Sequence, residues 1–277
     1  MVDPITEHMD IWTSAQVPKK TNGGRGRSSN GNGQGIYGIK KLRELILELA
    51  VRGKLVPQDP RDEPACVLLE KIAAEKKRLV KEGNIKRQKA LPEIGEEEKP
   101  FELPTGWEFE RFGNVTFNRD AERIPLSVDE RKGRQGKYDY YGASGVIDKI
   151  DGYLFDKPLL LIGEDGANLI NRSTPIAFIA RGNYWVNNHA HVLDGISEGF
   201  LKYICLHINA ISLEPYVTGT AQPKMNQAKM NSIVLALPPP SEQHRIVAKV
   251  DELMALCDQL EQQQIGSNDT HQTLVET

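Results

Sequence analysis

The sequence has no apolar run that approaches the roughly 18 residues of a membrane-spanning helix. Its first segment, MVDPITEHMD, also lacks the basic and then apolar pattern of a secretory signal peptide. The three cysteines, Cys66, Cys205 and Cys257, are odd in number and are not spaced as zinc ligands. These absences predict a reduced, cytoplasmic protein that has no membrane partner and no metal site.

The chain also lacks a large excess of charge of one sign. Its 35 Lys and Arg residues stand against 38 Asp and Glu residues, for a formal net charge of −3. Between Leu103 and Leu237 the two signs nearly balance as well. Binding of a polyanion by bulk charge is therefore excluded, and any such binding must depend on local patches or on another subunit.

Three motifs of catalytic and nucleotide-binding proteins are missing. The phosphate-binding loop G-x-x-x-x-G-K-[ST] does not occur, and no G-x-G-x-x-G follows an apolar strand. The sequence also has no Asn-Pro-Pro-Tyr or Asp-Pro-Pro-Tyr stretch, the motif of amino methyltransferases. These absences argue against an ATPase or a methyltransferase, and we assign no catalytic residue and no cofactor to this chain.

The segment from Leu237 to Gln264 dominates what the sequence does contain. Consecutive prolines end the preceding structure, and Ser241 is expected to cap a new helix. Apolar residues then recur at alternating steps of four and three, which is the heptad pattern of a coiled coil. The predicted seam comprises Ile246, Val250, Leu253, Cys257 and Leu260. Such a helix either packs on its own domain or serves as a spacer between modules.

Composition divides the chain into five segments. Residues 1–36 are rich in Gly, Ser and Asn and are predicted to be disordered, although Ile11 and Trp12 offer a docking point. Apolar stripes predict helices in residues 37–83, and the charged residues 84–102 are interpreted as a linker. Short apolar runs punctuated by Gly predict a β-rich module at 103–237, followed by a long helix at 238–277. The predicted fold class is α+β.

The predicted strands of the β-rich module are Trp107–Phe109, Val115–Phe117, Tyr138–Tyr141, Leu159–Ile162, Ile176–Ala180, Tyr184–Val186 and Ile233–Leu237. One helix is predicted from the shared face of Phe200, Ile204, Cys205 and Ile208, and a short one after Pro223.

Two groups of polar residues suggest catalysis. Glu164 and Asp165 follow an apolar strand near Lys157, an arrangement compatible with a metal-dependent nuclease. His189 and His191 are two residues apart, so they would share one face of a strand with Asp194 following. Acids at a strand end are more often turn residues, and paired histidines are more often hydrogen-bonded than metal-bound. A nuclease therefore remains a weaker hypothesis.

Three other groups carry side chains that suit phosphates and base edges. The first is a basic loop that enters a strand, the second lies between two apolar strands, and the third is a polar loop that leads into a helix N-terminus. The first group is Lys132, Arg134, Gln135, Lys137 and Tyr138. The second is Asn168, Asn171 and Arg172, and the third is Thr220, Gln222, Lys224 and Asn226. Any one such loop is more often a solvated turn.

The order of these segments resembles the specificity subunit of type I restriction–modification systems. The resemblance is carried by LPTGW at 103–107, by KKLRELILELAVRGKLVPQ at 40–58, and above all by GTAQPKMNQAKMNSIVLALPPPSEQHRIVAKVDELMALCDQLE at 219–261. It implies that the β-rich module is a target recognition domain reading one half of a split DNA site. It also implies that the long helices are spacers that pair as an antiparallel coiled coil.

The resemblance further implies the partners. They are double-stranded DNA, methyltransferase subunits that bind S-adenosylmethionine, and motor–nuclease subunits. Full specificity subunits have two recognition domains, whereas one is present here. We therefore expect either the N-terminal half of a longer subunit or a natural half-subunit that pairs with a second copy. The competing hypotheses are a scaffold that does not bind DNA and, with less support, the metal-dependent nuclease.

Overall fold

The computed structural model describes the backbone of residues 32–275 and the side chains of residues 37–263. The predicted disorder of residues 1–36, with Ile11 and Trp12, falls mostly outside this range. The described residues form two compact units, one containing residues 32–50 and 248–275 and the other containing residues 51–247. Helices and mostly antiparallel sheets are both present, which confirms the α+β class.

The smaller unit contains most of helix α1, Asn32–Val51, and the greater part of helix α8, Pro240–Val275. Helix α1 begins earlier than the expected start at Tyr37. Arg43 joins the two helices, because its guanidinium lies 2.8 Å from Asp258 Oδ1 and 2.7 Å from Glu261 Oε2. The apolar residues Ile39, Leu42, Ile46 and Ala50 of α1 and Val250, Leu253 and Cys257 of α8 are buried in this unit.

The seam predicted for the long helix is therefore largely buried. Ile246, in the part of α8 that belongs to the larger unit, is buried as well, and Leu260 is half-buried. The start of the helix differs from the prediction, since α8 begins at Pro240 and places Ser241 inside its first turn. Proline is favoured at the first helical position because its missing N–H has no partner there. The Pro239 carbonyl instead accepts the first bond, from Gln243 N at 2.9 Å.

The larger unit begins with helix α2, Ala65–Lys81, whose buried stripe comprises Ala65, Leu68 and Ile72. Residues 84–102 follow with a single 3-10 turn, Glu96–Glu98. This segment is held onto the unit by the buried Arg111. The Arg111 guanidinium donates to Pro92 O at 3.1 Å and to Glu93 O at 3.0 Å, and it pairs with Glu98 at 2.7 Å.

Three sheets follow. Strand β1, Glu108–Arg111, pairs antiparallel with β9, Val234–Leu237, and so joins the two ends of the module. A four-stranded sheet has the order β2, β8, β5, β6, with β2 at Phe117–Asn118, β8 at Ala190–Asp194, β5 at Leu159–Gly163 and β6 at Ala177–Ala180. A three-stranded sheet has the order β4, β3, β7, with β4 at Gly145–Ile150, β3 at Gln135–Gly142 and β7 at Tyr184–Val186.

Four short helices and one longer helix connect these strands. They are α3 at Phe112–Val115, α4 at Val128–Lys132, α5 at Asn168–Asn171, α6 at Glu198–Ala210 and α7 at Gln227–Asn231. Helix α6 packs against β5 and β6, and its buried Tyr203 donates to Ala236 O of β9 at 2.7 Å. The core is built from the buried strands β5, β7 and β8.

The local structure of the β-rich module also differs from the prediction at several places, and β8 was not among the predicted strands. Val115 ends a helical turn, so only Phe117 of the predicted strand Val115–Phe117 lies in a strand. Strand β4 was not predicted, because Val146 and Ile147 are both exposed and give no alternation. The basic loop expected before β3 is partly helical. Ser127 Oγ accepts from Glu130 N and the Glu130 carboxylate accepts from Ser127 N, a capping box that starts α4.

Candidate nucleic-acid interface

The first predicted group lies on α4 and the start of β3. Arg134 is held in place, because its guanidinium stacks 4.8 Å from the Trp185 ring and pairs with Asp151 at 2.8 Å. Gln135 is exposed and donates to Arg131 O at 2.9 Å. These contacts orient the two side chains that were expected to read base edges.

The other members of the first group are more exposed. Lys132 is 71% exposed and pairs with Asp129 at 3.0 Å, a surface ion pair of little energetic weight. Lys137 lies 5.1 Å from the Tyr138 ring, and the ring of Tyr138 packs edge-on against Tyr153 at 5.1 Å. Tyr153 is itself 45% exposed, so this end of β3 combines aromatic faces with cations. Such a surface suits nucleic acid, because cations meet phosphates and rings meet bases or sugars.

The second group lies in and after α5, and the structure uses two of its three residues internally. Asn168 Oδ1 accepts from Thr174 N at 3.1 Å and from Ser173 Oγ at 3.0 Å, which closes the turn after the helix. Asn171 is exposed. Arg172 adopts a left-handed conformation with φ of 50°.

The Arg172 side chain contacts the end of helix α6 and does not lie in the exposed position that the sequence suggested. Its guanidinium donates to the carbonyls of Ile208 and Ile211, at 3.3 and 2.7 Å. These carbonyls lie at the C-terminal end of α6, where a cation compensates the helix dipole. Burial lowers the pKa of Arg172. The side chain is thus turned inward, away from the phosphate contact that the sequence suggested.

The third group lies on a loop closed by its own backbone. Thr218 N donates to Lys224 O at 2.9 Å, and Lys224 N donates to Thr218 O at 2.8 Å. Gly219 has φ of +82°, and a Cβ there would lie 2.6 Å from Gln222 O, so the tight turn requires glycine. Thr220 and Gln222 are exposed at the tip. Their side chains are free of hydrogen bonds to the described residues, as readers of base edges must be.

The foot of this loop is fixed on both sides. Asn226 caps α7, because its side chain accepts from Lys229 N at 3.0 Å. Lys224 pairs with Glu164 at 3.1 Å, and Met225 N donates to Glu164 O at 2.8 Å. A rigid foot beneath an exposed tip is the geometry of a recognition loop on a scaffold.

His191 stands at the centre of the buried polar cluster below this loop. It is 2% exposed, and its two ring nitrogens meet Asp120 Oδ2 at 2.7 Å and Met225 O at 2.9 Å. Met225 O accepts, and Asp120 accepts when it is ionised, so these two contacts favour the cationic ring with a proton on each nitrogen. Glu164 completes the cluster, with Arg123 at 3.1 Å.

The pKa values of the cluster follow from these contacts. Burial disfavours the charged form of each group, but the mutual ion pairs and hydrogen bonds outweigh it. The hydrogen bond to Asp120 raises the pKa of His191, and the same bond lowers the pKa of Asp120. The charge of His191, with Lys224 and Arg123, also lowers the pKa of Glu164. The cluster therefore fixes the loop by charge as well as by backbone bonds.

The residues considered for catalysis are thus paired with cations or separated from one another. His189 lies just before β8 and contacts Asp165 at 2.8 Å, whereas the buried His191 contacts Asp120. Asp194 pairs with Lys157 at 2.6 Å. Among the described residues, no cluster of three or more His, Cys, Asp or Glu side chains is arranged to hold a metal ion.

The structure brings the second and third groups together. Gly166, two residues before α5, donates through its backbone N–H to Pro223 O at 3.0 Å, and Asp165 bridges to Lys224. Within residues 37–263, no hydrogen bond or ion pair connects the first group directly to the other two. The sequence missed the roles of Arg123 and Asp120, since only the folded chain brings them to His191.

No helix in the described part of the chain is long and apolar enough to cross a membrane. The family model for the type I restriction modification DNA specificity domain matches residues 104–267. The chain is 41% identical over 301 residues to the type I restriction enzyme EcoAI specificity subunit of Escherichia coli. It is 43% identical over 298 residues to the EcoEI specificity subunit of the same organism. Both alignments include 99% of this chain and 48% of the relative, so the chain spans about half the length of the curated relatives it matches.

One solved structure is similar in fold. It is described as the structural basis underlying complex assembly and conformational transition of the type I R-M system, and it is 14% identical with a TM-score of 0.50. The match covers 98% of this chain and 66% of that chain. At this identity the likeness concerns the fold alone. The family model and the two relatives together show that this chain belongs to the family of type I restriction–modification DNA specificity subunits.

Proposed function

We propose that this chain recognises one half of a bipartite DNA site for a type I restriction–modification complex. The observation that carries the proposal is the loop at 218–226, because an exposed tip stands on a foot fixed by the His191 cluster. The tip residues Thr220 and Gln222 offer a hydroxyl and an amide, groups that pair with base edges in the major groove. Membership of the specificity-subunit family supports the same role.

The contribution of the first group follows from its geometry. Arg134 and Gln135 are oriented by Trp185 and Arg131, so they can read bases without a large loss of side-chain entropy. Lys132, Lys137 and Lys224 would contact phosphates and set the register. We leave Asn168 and Arg172 out of this set, because their polar atoms already serve the local fold.

The chain itself is proposed to be non-catalytic. Methyltransferase subunits would bind S-adenosylmethionine and modify the site, and motor–nuclease subunits would cut unmodified DNA in the cytoplasm. The long helices α1 and α8 are proposed as the spacer that sets the distance between two half-sites, since half-site spacing follows protein geometry. The buried stripes of both helices and the Arg43 ion pairs support this role. The second recognition domain would come from a longer chain or from a second copy.

The test is site choice in a reconstituted complex. The chain is co-expressed with its methyltransferase subunit, and methylated positions are mapped across a random-sequence library. Gln222→Ala is expected to relax or change the preference at one or two base pairs of one half-site, at about 1–3 kcal/mol for each lost bidentate contact. Asn183→Ala, an exposed amide in the turn before β7, is the matched control. An unchanged half-site in both Gln222→Ala and Arg134→Ala would remove these residues from readout.

A further inference from the structure

A strip of unpaired cations runs along the end of α2 and the segment that follows it. The exposed residues Lys77, Lys81, Lys86, Arg87 and Lys89 form this cation strip. None of them makes a hydrogen bond or an ion pair with another described residue, whereas most Lys and Arg side chains of the larger unit are paired. The strip lies outside residues 104–267, the range that matches the family model.

The strip lines two adjoining grooves with volumes of about 620 and 810 Å³. Both grooves include Lys76, Arg87, Gln88 and Lys89. Acidic groups in the grooves are already neutralised or engaged. Asp120 pairs with His191, Glu122 pairs with Arg119, and Glu110 Oε1 accepts from Asn114 Nδ2 at 2.9 Å. The strip therefore carries a net positive charge on a chain whose total charge is negative.

The backbone that carries the strip is fixed. Lys76 Nζ donates to Gln88 Oε1 at 3.1 Å, to Thr116 O at 3.2 Å and to Gly113 O. Gly113 allows this approach, because a Cβ there would lie 2.7 Å from Gln88 Nε2. Burial lowers the pKa of Lys76 to about 8, so this lysine acts mainly as an anchor. Gln88 thus points inward, and its neighbours Arg87 and Lys89 are exposed on either side.

The strip adjoins the proposed recognition loop. The smaller groove is also lined by Gln227, Ala228 and Asn231 of α7, the helix that Asn226 caps at the end of the loop. Its wall includes Asp120 as well, the partner of His191, which holds the loop through Met225 O. The groove that holds the strip and the recognition loop thus share helix α7.

We infer that the cation strip binds the phosphate backbone of double-stranded DNA that flanks the recognised half-site. The inference rests on the proposed function and extends it to a surface outside the matched domain. An unpaired lysine acts as a point charge, which suits a phosphate group. Such cations neutralise phosphates without reading the base sequence. The continuity with the loop favours DNA over an acidic protein surface. The strip also resolves how a chain with net negative charge holds a polyanion.

The test uses the full chain assembled with its methyltransferase subunit. Duplex DNA with and without the target site is titrated between about 50 and 200 mM salt. The double variant Arg87→Ala/Lys89→Ala is expected to weaken binding to both duplexes by the same factor. The slope of log affinity against log salt should become shallower by about 0.9 for each lost phosphate contact. The methylated sequence should not change, because these residues do not read bases.

The control is Lys40→Ala/Lys54→Ala, which removes the same charge from two exposed residues outside the strip. It should leave the slope near the wild-type value, and melting curves check that both variants fold. If Arg87→Ala/Lys89→Ala keeps the wild-type slope of log affinity against log salt, the inference is overturned. It is also overturned if the double variant no longer binds the methyltransferase subunit but keeps its affinity for DNA. Site-specific methylation that persists in either case leaves the proposed function standing. A shallower slope in a complex without sequence preference supports the strip and contradicts the proposed function.

Discussion

Trp107 Nε1 donates to Glu242 Oε2 at 3.0 Å across 135 residues of sequence, and both side chains are buried. This bond joins the LPTGW motif before β1 to the LPPPSEQ motif after β9. The same junction contains the β1–β9 pairing and a bond from Ala65 N to Gly106 O at 2.8 Å. Two motifs at opposite ends of the β-rich module thus meet and close it.

Glu242 is expected to limit stability at neutral pH. Burial raises its pKa, and its Oε1 atom has no hydrogen-bond partner among the described residues. A carboxyl with a raised folded pKa contributes stability below its unfolded pKa of 4.5 and loses it as pH rises through the folded value. Glu242→Gln should therefore retain the bond to Trp107 and equal or exceed the wild-type free energy of unfolding at pH 7. Glu242→Leu should lose about 1–3 kcal/mol by stranding the indole N–H. Denaturant unfolding at pH 4 and pH 7 measures the stability of both variants. A lower free energy of unfolding for Glu242→Gln than for Glu242→Leu at pH 7 would contradict this prediction.

His191 and the carboxylates around it should make stability depend on pH in opposite directions. Its pKa is raised, so its contribution is fully present below 6.5 and is lost as pH rises through the folded pKa. The lowered pKa values of Asp120 and Glu164 give contributions that are present above 3.8 and 4.5 and are lost as pH falls. The cluster is therefore most stabilising between these limits.

The variant His191→Gln tests this cluster. Removing one partner of a buried pair costs about 3–5 kcal/mol, because the other charge is left uncompensated. The gap in unfolding free energy between wild type and His191→Gln should narrow as pH rises from 6 to 9. Because both proteins contain His207, whose pKa burial lowers to about 4, its titration cancels in the difference. His189→Gln, which removes a half-exposed contact with Asp165, should cost at most about 1 kcal/mol. A gap that widens with pH would contradict a cationic His191.

Arg172 is expected to act on stability and not on DNA affinity. Its guanidinium satisfies the C-terminal carbonyls of α6, so Arg172→Met should lower the free energy of unfolding by about 1–3 kcal/mol. The salt dependence of DNA binding should remain that of the wild type. Lys137→Met is the matched comparison, since Lys137 is exposed and should shift DNA affinity with little effect on unfolding. If Arg172→Met weakened DNA binding and left the free energy of unfolding unchanged, Arg172 would be a phosphate contact after all.

Gly219 is expected to be indispensable for the shape of the loop tip. Gly219→Ala meets both the positive φ and the approach of Gln222 O at 2.6 Å, and such strain costs about 1–3 kcal/mol. The loop should rearrange, and methylation of the half-site should fall while the global fold persists. Gly182→Ala is a matched control, because Gly182 also has a positive φ of 73° but nothing lies within 4 Å of the added atom. An equal fall in methylation in both variants would contradict this prediction, because the effect would then not depend on the shape of this loop.

Much of the secondary structure was predictable, because it depends on short-range patterns. The buried runs of β5 and β7 and the seam at Val250, Leu253 and Cys257 each follow from spacing along the chain. Strand β4 was not predictable in this way, because its apolar side chains are exposed and its pairing with β3 supplies the stability. The capping box at Ser127 was present in the sequence as S-x-x-E, so the helix that it starts could have been predicted from the sequence.

The candidate site divides along the same line. The sequence by itself determined the family signature, the polar loop before α7 and the amphipathic helices, because each depends on neighbouring residues. Only the tertiary structure decided that Arg172 turns onto α6, that His191 joins Asp120 beneath the loop, and that Arg87 and Lys89 face outward from an anchored Gln88. Side-chain partners of this kind are chosen by groups far away in sequence, since burial leaves each polar atom only the acceptors or donors that the fold brings within reach.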